Sequence, residues 1–189
     1  YDVRLKHLLT MSANINWNEE LPYTDPANSN TAMNASDDWL GYVLERSLSG
    51  APGGQARYTS GLALLLGGVL KEITGEYVDA YAQQTLFRAL GIDKFRWSAA
   101  PDGTRHTGGG LSMRALDLAK LGQLVLDQGK WRGQQIIPAA YLADSLRRLP
   151  LAAAPDDKEH GYGYLWWLRT FREDRQTIDA VTGIGYGGQ

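Results

Sequence analysis

Two short segments carry the groups best suited to chemistry: Tyr58-Thr59-Ser60, and the tail Thr182-Gly183-Ile184-Gly185-Tyr186-Gly187-Gly188-Gln189. Tyr58 and Ser60 follow a turn at Pro52-Gly53-Gly54 and stand where an apolar helix begins. A helix N-terminus offers free N–H groups and a partial positive charge, and both favour an anion. A phenol placed there is expected to lose its proton more easily than in water. It could then act as a general base and later return the proton to a leaving group. The plainer reading makes Ser60 a helix cap and Tyr58 a core side chain. In the tail, four glycines in six residues let a backbone or a substrate approach a strand closely. Free N–H groups on such a strand edge can hold a carbonyl oxygen as charge develops on it. The plainer reading there is a hairpin or a barrel bend. The tail is no dinucleotide fingerprint, because no strand precedes it and no helix follows.

Two further segments compete for attention. His106-Thr107-Gly108-Gly109-Gly110 resembles the Lys/His-Thr-Gly element of penicillin-recognising enzymes, yet it precedes a helical pattern and lies far from the late strands. It is expected to be a loop, with His106 a candidate lining residue of a substrate cleft. Trp166-Trp167 could form a ligand platform, but adjacent strand residues point to opposite faces. One ring is therefore expected in the core and the other under a helix.

The elements that must position these groups follow from periodicity and punctuation. A short helix is expected over Val3 to Ser12, then a long polar loop from Ala13 to Ala35. Loops of that length in compact domains are usually functional. Ser36 is expected to cap a helix from Trp39 to Arg46. Ser60 to Thr74 is apolar nearly all round, which predicts a buried helix ended by Gly75. Tyr77 to Leu90 is a second helix, ended by Gly91. Ser112 is expected to cap a helix carrying Met113, Leu116, Leu118, Leu121, Leu124 and Val125. Gln134 to Ile137 is extended, and Pro138 opens a helix from Ala139 to Leu149. Leu151 to His160 is a loop. Tyr162 to Leu168 and Thr177 to Gln189 are aromatic, β-branched and glycine-rich, and read as strands. Helices come first and strands late, which makes the class α+β.

Composition excludes several functions. The 189 residues are ordinary for a globular protein of one domain or one and a half, at 43% hydrophobic and 21% charged. A net charge of −2 argues against nucleic acid or an anionic membrane as the main partner. No cysteine means no disulfide and no thiol nucleophile. No stretch is long and apolar enough to span a membrane; the run Leu62 to Leu70 is broken by Gly67-Gly68. The three histidines lie far apart and match no ligand spacing, so no metal is expected. Bacterial periplasm and cytoplasm both fit, and oligomeric state is not set.

Taken in order, the pieces form a pattern. His7-Leu-Leu-Thr-Met-Ser12 is followed by the Asn-rich loop, Pro52-Gly53, Tyr58-x-Ser60-Gly61 and Leu86-Phe-x-x-Leu-Gly91. Then come Gly108-Gly-Gly-Leu-Ser-Met-Arg-x-x-Asp-Leu-Ala-Lys-Leu-Gly122, Gly129-x-Trp-x-Gly-x-x-Ile-Ile-Pro138, Tyr162-Gly-Tyr-x-Trp-Trp167 and Gly183-Ile-Gly-Tyr-Gly-Gly-Gln189. This set resembles the β-lactamase-related serine hydrolases. Within them it is most similar to the class C-like esterases and 6-aminohexanoate-dimer hydrolases.

The resemblance implies a β-lactamase/penicillin-binding-protein-like fold. Residues 1–150 would form a mainly helical domain with cleft-lining loops, and 151–189 the start of an antiparallel sheet, with the active site in the groove between them. It implies an acyl-enzyme formed on a small ester or amide without metal or organic cofactor. Tyr58 matches the tyrosine that exchanges protons with the nucleophilic serine. Ser60 matches a position of Asn or Ser that hydrogen-bonds in the cleft. Ile184 matches the residue whose backbone N–H completes the oxyanion hole, with Gly183 and Gly185 beside it at the substrate. The loop from Ala13 to Ala35 would shape the site, with Trp17 and Tyr23 as contacts.

The departures carry expectations too. No serine is followed by lysine three places on, so the Ser-x-x-Lys nucleophile is expected upstream of Tyr1, and this 189-residue chain alone is expected to be inactive. The family's last strands and C-terminal helix are expected beyond Gln189. The tail lacks the lysine that recognises a penicillin carboxylate, which favours esters and short amides over β-lactams. The alternatives are a D-alanyl-D-alanine carboxypeptidase or β-lactamase, and a non-catalytic relative that binds peptides or cell-wall fragments. A Ser-x-x-Lys in the upstream sequence separates the enzymes from the binder.

Overall fold

The computed structural model describes residues 2–152, 159–174 and 176–185. The tail positions Tyr186 to Gln189, and most of the loop expected between Leu151 and His160, lie outside the described residues.

Helix α4, Ser60–Thr74, is the axis on which the rest is hung, and it runs where its apolar sequence predicts. Gly75 ends it in the left-handed conformation (φ 75°), its N–H donating to Lys71 O at 2.8 Å. The expected burial all round holds for Ser60 to Leu64 alone; Ile73 is 74% exposed. The buried end is the one covered by its neighbours, α1 (Leu5–Leu9) and α3 (Trp39–Leu44). Asp38, not Ser36, caps α3: its carboxylate accepts from Gly41 N–H at 2.8 Å. Ser36 instead donates to Met33 O.

The polar stretch 13–35 is more structured than its composition suggests. It contains a helix, α2 (Ser29–Asn34). Buried Asn28 Oδ1 accepts from the N–H groups of Asn30 (2.9 Å) and Thr31 (3.2 Å), while its Nδ2 donates to Leu21 O. An asparagine cap of this kind uses side-chain amide chemistry in place of apolar periodicity.

The next helical run is α5 (Val78–Ala82), a wide π turn over Gln83–Phe87, and α6 (Arg88–Leu90), ended by Gly91. A strand, β1 (Phe95–Trp97), then pairs antiparallel with β2 (Leu111–Met113). Ser112 therefore sits in a strand, opposite Arg96, and caps nothing. Helix α7 (Ala115–Leu126) begins after Arg114. Its first turn is fixed by Asp117, buried at 1% exposure, whose carboxylate accepts from Arg114 Nε at 2.6 Å and Lys120 Nζ at 2.7 Å. The hairpin β3 (Lys130–Trp131) and β4 (Gln134–Gln135) leads to α8 (Ala139–Ser145).

The main sheet comes last, in the order β5 (His160–Tyr162), β6 (Trp167–Glu173), β7 (Gln176–Thr182), antiparallel throughout. The single strand expected from Tyr162 to Leu168 is broken by a tight turn. Gly163 N–H donates to Trp166 O at 2.9 Å and Leu165 takes φ 62°. Tyr162 and Trp167 thus face each other across the ladder, and Trp167 faces Thr182 on its other side.

Two apolar cores result. The larger joins Met11, Trp17, Met33, Trp39, Val43 and Leu62 to Leu64 with Tyr162 of the sheet. The smaller gathers Phe87, Leu90, Ile92 and Leu124. Leu64 is wholly buried, so truncating it leaves a cavity in this core. Leu64→Ala is expected to lower the unfolding free energy by about 2–5 kcal/mol, read from urea denaturation. A loss well under about 1 kcal/mol would show that this core is loosely packed.

Candidate active site

The segment leading into α4 forms the floor of an open cleft of about 410 Å³. Three backbone bonds hold that floor. Arg57 N–H donates to Met11 O (2.7 Å), Ala56 N–H to Pro150 O (2.9 Å), and Ala152 N–H to Ala56 O (2.7 Å). One wall is Asn14, Trp17, Glu19 and Glu20; the other is Leu151, Ala152 and Trp167. Tyr58 lies between them on the floor.

The Tyr58 ring stacks on Trp167, with centroids 5.4 Å apart and planes inclined by 28°. Tyr162 meets the same indole edge-on at 5.1 Å. Burial among these rings, and then the negative charge of Glu19, push the Tyr58 phenol up to about 12. This reverses the expectation of an easily lost proton. The phenol stands before the helix, among apolar rings and beside a carboxylate, and the free amide it would need is already used.

Glu19 uses it. Its Oε2 accepts from Ser60 N–H at 2.9 Å and from Trp17 Nε1 at 2.7 Å; its Oε1 accepts from the Tyr23 hydroxyl at 2.8 Å. The anion expected at the start of α4 is present, but it is a carboxylate from the 13–35 segment and not a phenolate. Ser60 is not the cap either. Thr59 occupies the cap position, and the Ser60 hydroxyl donates to Asn30 Oδ1 at 3.0 Å, both residues buried.

Two glycines make this assembly sterically possible. A Cβ on Gly61 would lie 2.8 Å from the Trp17 ring, so the indole rests directly on the helix backbone. A Cβ on Gly108 would lie 2.9 Å from Ser60 O, so the 106–110 loop seals the other side. Thr107 Oγ1 fastens that loop by donating to Ala63 O at 2.7 Å.

The other candidate residues divide. Trp17 lines the cleft, whereas Tyr23 reaches it through Glu19. His106 is not among the lining residues: its ring packs edge-on to Trp39 at 5.4 Å, and burial lowers its pKa, leaving a neutral ring at pH 7. Gly183, Ile184 and Gly185 leave β7 at the end that carries Trp167, where Thr182 Oγ1 donates to Trp167 O at 3.1 Å. A Cβ on Gly183 would meet nothing within 4 Å, and the Ile184 side chain is 47% exposed. Sequence reasoning missed Glu19, Asn30 and the cleft-facing role of Trp167. Among the described residues no three His, Asp or Glu side chains converge as a metal site, and no helix is long and apolar enough to cross a membrane.

Comparison with known proteins identifies the family and the fold. A family model described as Beta-lactamase matches residues 1–189. The 6-aminohexanoate-dimer hydrolase of Paenarthrobacter ureafaciens is 26% identical over 200 residues, covering 96% of this chain and 49% of that protein. A Bacillus anthracis structure assigned as a 6-aminohexanoate-dimer hydrolase superposes with a TM-score of 0.73 at 20% identity, over 87% of this chain and 47% of the other. A penicillin-binding protein from Bacillus halodurans superposes with a TM-score of 0.63 at 17% identity, over 89% and 58%. The architecture is thus the β-lactamase and penicillin-binding-protein fold, and the chain spans about half the length of these relatives.

The raised Tyr58 pKa fixes the sign of a pH effect. The folded state holds the proton more tightly than the ordinary value of 10.0, so the contribution to stability is complete below pH 10 and is lost as pH rises through about 12. Tyr162 is raised in the same direction, by burial and then by Tyr58. Melting temperatures measured across this range should fall more gently for Tyr58→Phe than for the parent. Superimposable curves would remove Tyr58 as a source of the alkaline loss.

Proposed function

This chain belongs to the β-lactamase family, and on that premise we propose that it is part of a serine hydrolase that opens esters or short amides through an acyl-enzyme. The observation that carries the reading is Tyr58, a phenol on the floor of an open cleft, stacked on Trp167 and backed by Glu19.

In this reading the serine and lysine of the nucleophile motif come from outside these 189 residues. With its pKa pushed up, the phenol is neutral at rest. A cation brought beside it lowers that pKa, the phenol gives its proton to solvent, and the resulting phenolate accepts the serine proton as the serine oxygen attacks the carbonyl carbon. The proton passes from Tyr58 to the departing oxygen or nitrogen as the tetrahedral intermediate collapses to the ester of the serine. Water repeats the sequence and releases the acid. The backbone N–H of Ile184 is our candidate donor to the oxyanion, with Gly183 and Gly185 leaving space for the acyl group beside it. Ser60 and Asn30 form a fixed pair at the head of α4. Trp17 and Glu19 form part of the substrate wall, and Tyr23 backs that wall through its bond to Glu19. His106 packs edge-on to Trp39 of α3 and belongs to the site indirectly.

An amide substrate is favoured over a β-lactam by the relatives named for 6-aminohexanoate dimer. Labelling of the intact protein by a fluorescent penicillin would favour the carboxypeptidase or β-lactamase alternative.

The leaving group supplies the test. A p-nitrophenolate departs without a proton, whereas an amine needs one. In the intact protein, Tyr58→Phe should cut kcat on a short-chain amide by about 10²–10⁴-fold. The loss on a p-nitrophenyl ester should be smaller. Normal amide turnover by Tyr58→Phe would overturn the assignment.

A further inference from the structure

We propose that Glu19 is a positioning residue for this site: its carboxylate latches the 13–35 segment to the head of α4 and sets both the place of Tyr58 and the field it feels. The proposal rests on the reading of Tyr58 as the proton carrier.

Three donors from two pieces of chain meet on this one side chain. Trp17 and Tyr23 come from two points of the segment, and Ser60 N–H comes from the helix, 41 residues beyond Glu19. All three are donors, at 2.7, 2.8 and 2.9 Å. An ionised carboxylate is the one side chain of this reach that only accepts. A carboxamide in its place presents an NH₂ to one of these donors, and at least one bond is lost. A carboxylate one methylene shorter cannot span all three.

The charge matters as well as the geometry. The charged and titratable groups facing Tyr58 are Glu19 and Glu20 from the segment, Arg57 beside it in sequence, and Tyr162 from β5. The Arg57 guanidinium lies 3.8 Å from Glu20, which pairs those two. Among the described residues no lysine or arginine pairs with Glu19. Its negative charge bears on the phenol, where it adds to burial in keeping the proton in place, and it also bears on His106. Latch and electrostatic brake are the same group.

The test uses the intact protein and two readouts. The first is the alkaline titration of Tyr58, isolated as the difference in near-ultraviolet absorbance between the parent and Tyr58→Phe. Glu19→Gln should move that midpoint down from about 12, while Glu20→Gln, which removes a carboxylate already paired with Arg57, should leave it in place. The second is turnover of a short amide, where Glu19→Gln should lower kcat by at least about tenfold with a smaller change in KM. An unmoved Tyr58 midpoint in a folded Glu19→Gln protein overturns the proposal, whatever the kinetics show. A parent without hydrolase activity defeats the functional reading alone, since the titration still judges Glu19. If Glu19→Gln does not fold, Tyr23→Phe takes its place, because it removes one donor and keeps the charge. Faster proteolytic cutting within 13–35 is expected there, and a chain as resistant as the parent overturns the latch.

Discussion

Burying the first turn of a helix creates backbone N–H groups that cannot reach water, and each must find an acceptor. In α4 that first turn lies at the centre of the larger core, and its capping threonine makes no side-chain bond to it. The carboxylate of Glu19 meets the need from another part of the chain. Much else follows from this. The 13–35 segment has to return to the helix, Trp17 has to lie on Gly61, and Tyr58 has to stand next to a negative charge.

The cleft is therefore built with its phenol biased toward the neutral form. Aromatic faces on one side and a carboxylate on the other both disfavour the phenolate. Burial sets most of that bias and the Glu19 carboxylate adds to it.

Much of this was legible in the residues, for reasons that can be named. The apolar run 60–74 and its terminal glycine specify α4 because local periodicity and local packing agree there. Tyr58 was found because it stands a fixed two residues before Ser60 and follows a turn. Glu19 left no such trace: its partners are set by folding, and a glutamate in a polar stretch reads as solvated. Asn28 could have been found, since an asparagine directly before a short run that can turn into a helix is a cap signal. Ser112 misled because a serine before an apolar period also fits a strand, and β1 decided the matter. Trp167 was set aside by the alternation of strand faces, an argument valid only for an unbroken strand. The turn at Leu165 resets the alternation and turns the indole to Tyr58.

The division into two cores has a consequence for how such a molecule can drift. Trp17, Ala56, Tyr58, Leu151 and Trp167 of the cleft lie in or against the larger cluster, while Phe87, Leu90, Ile92 and Leu124 make up a separate one that begins at the end of the π turn. None of the second cluster's residues lines the cleft, so substitutions there bear first on stability. Descendants of this chain are free to exchange those side chains for others of similar bulk, whereas the ring of aromatic groups about the phenol must change in concert or not at all.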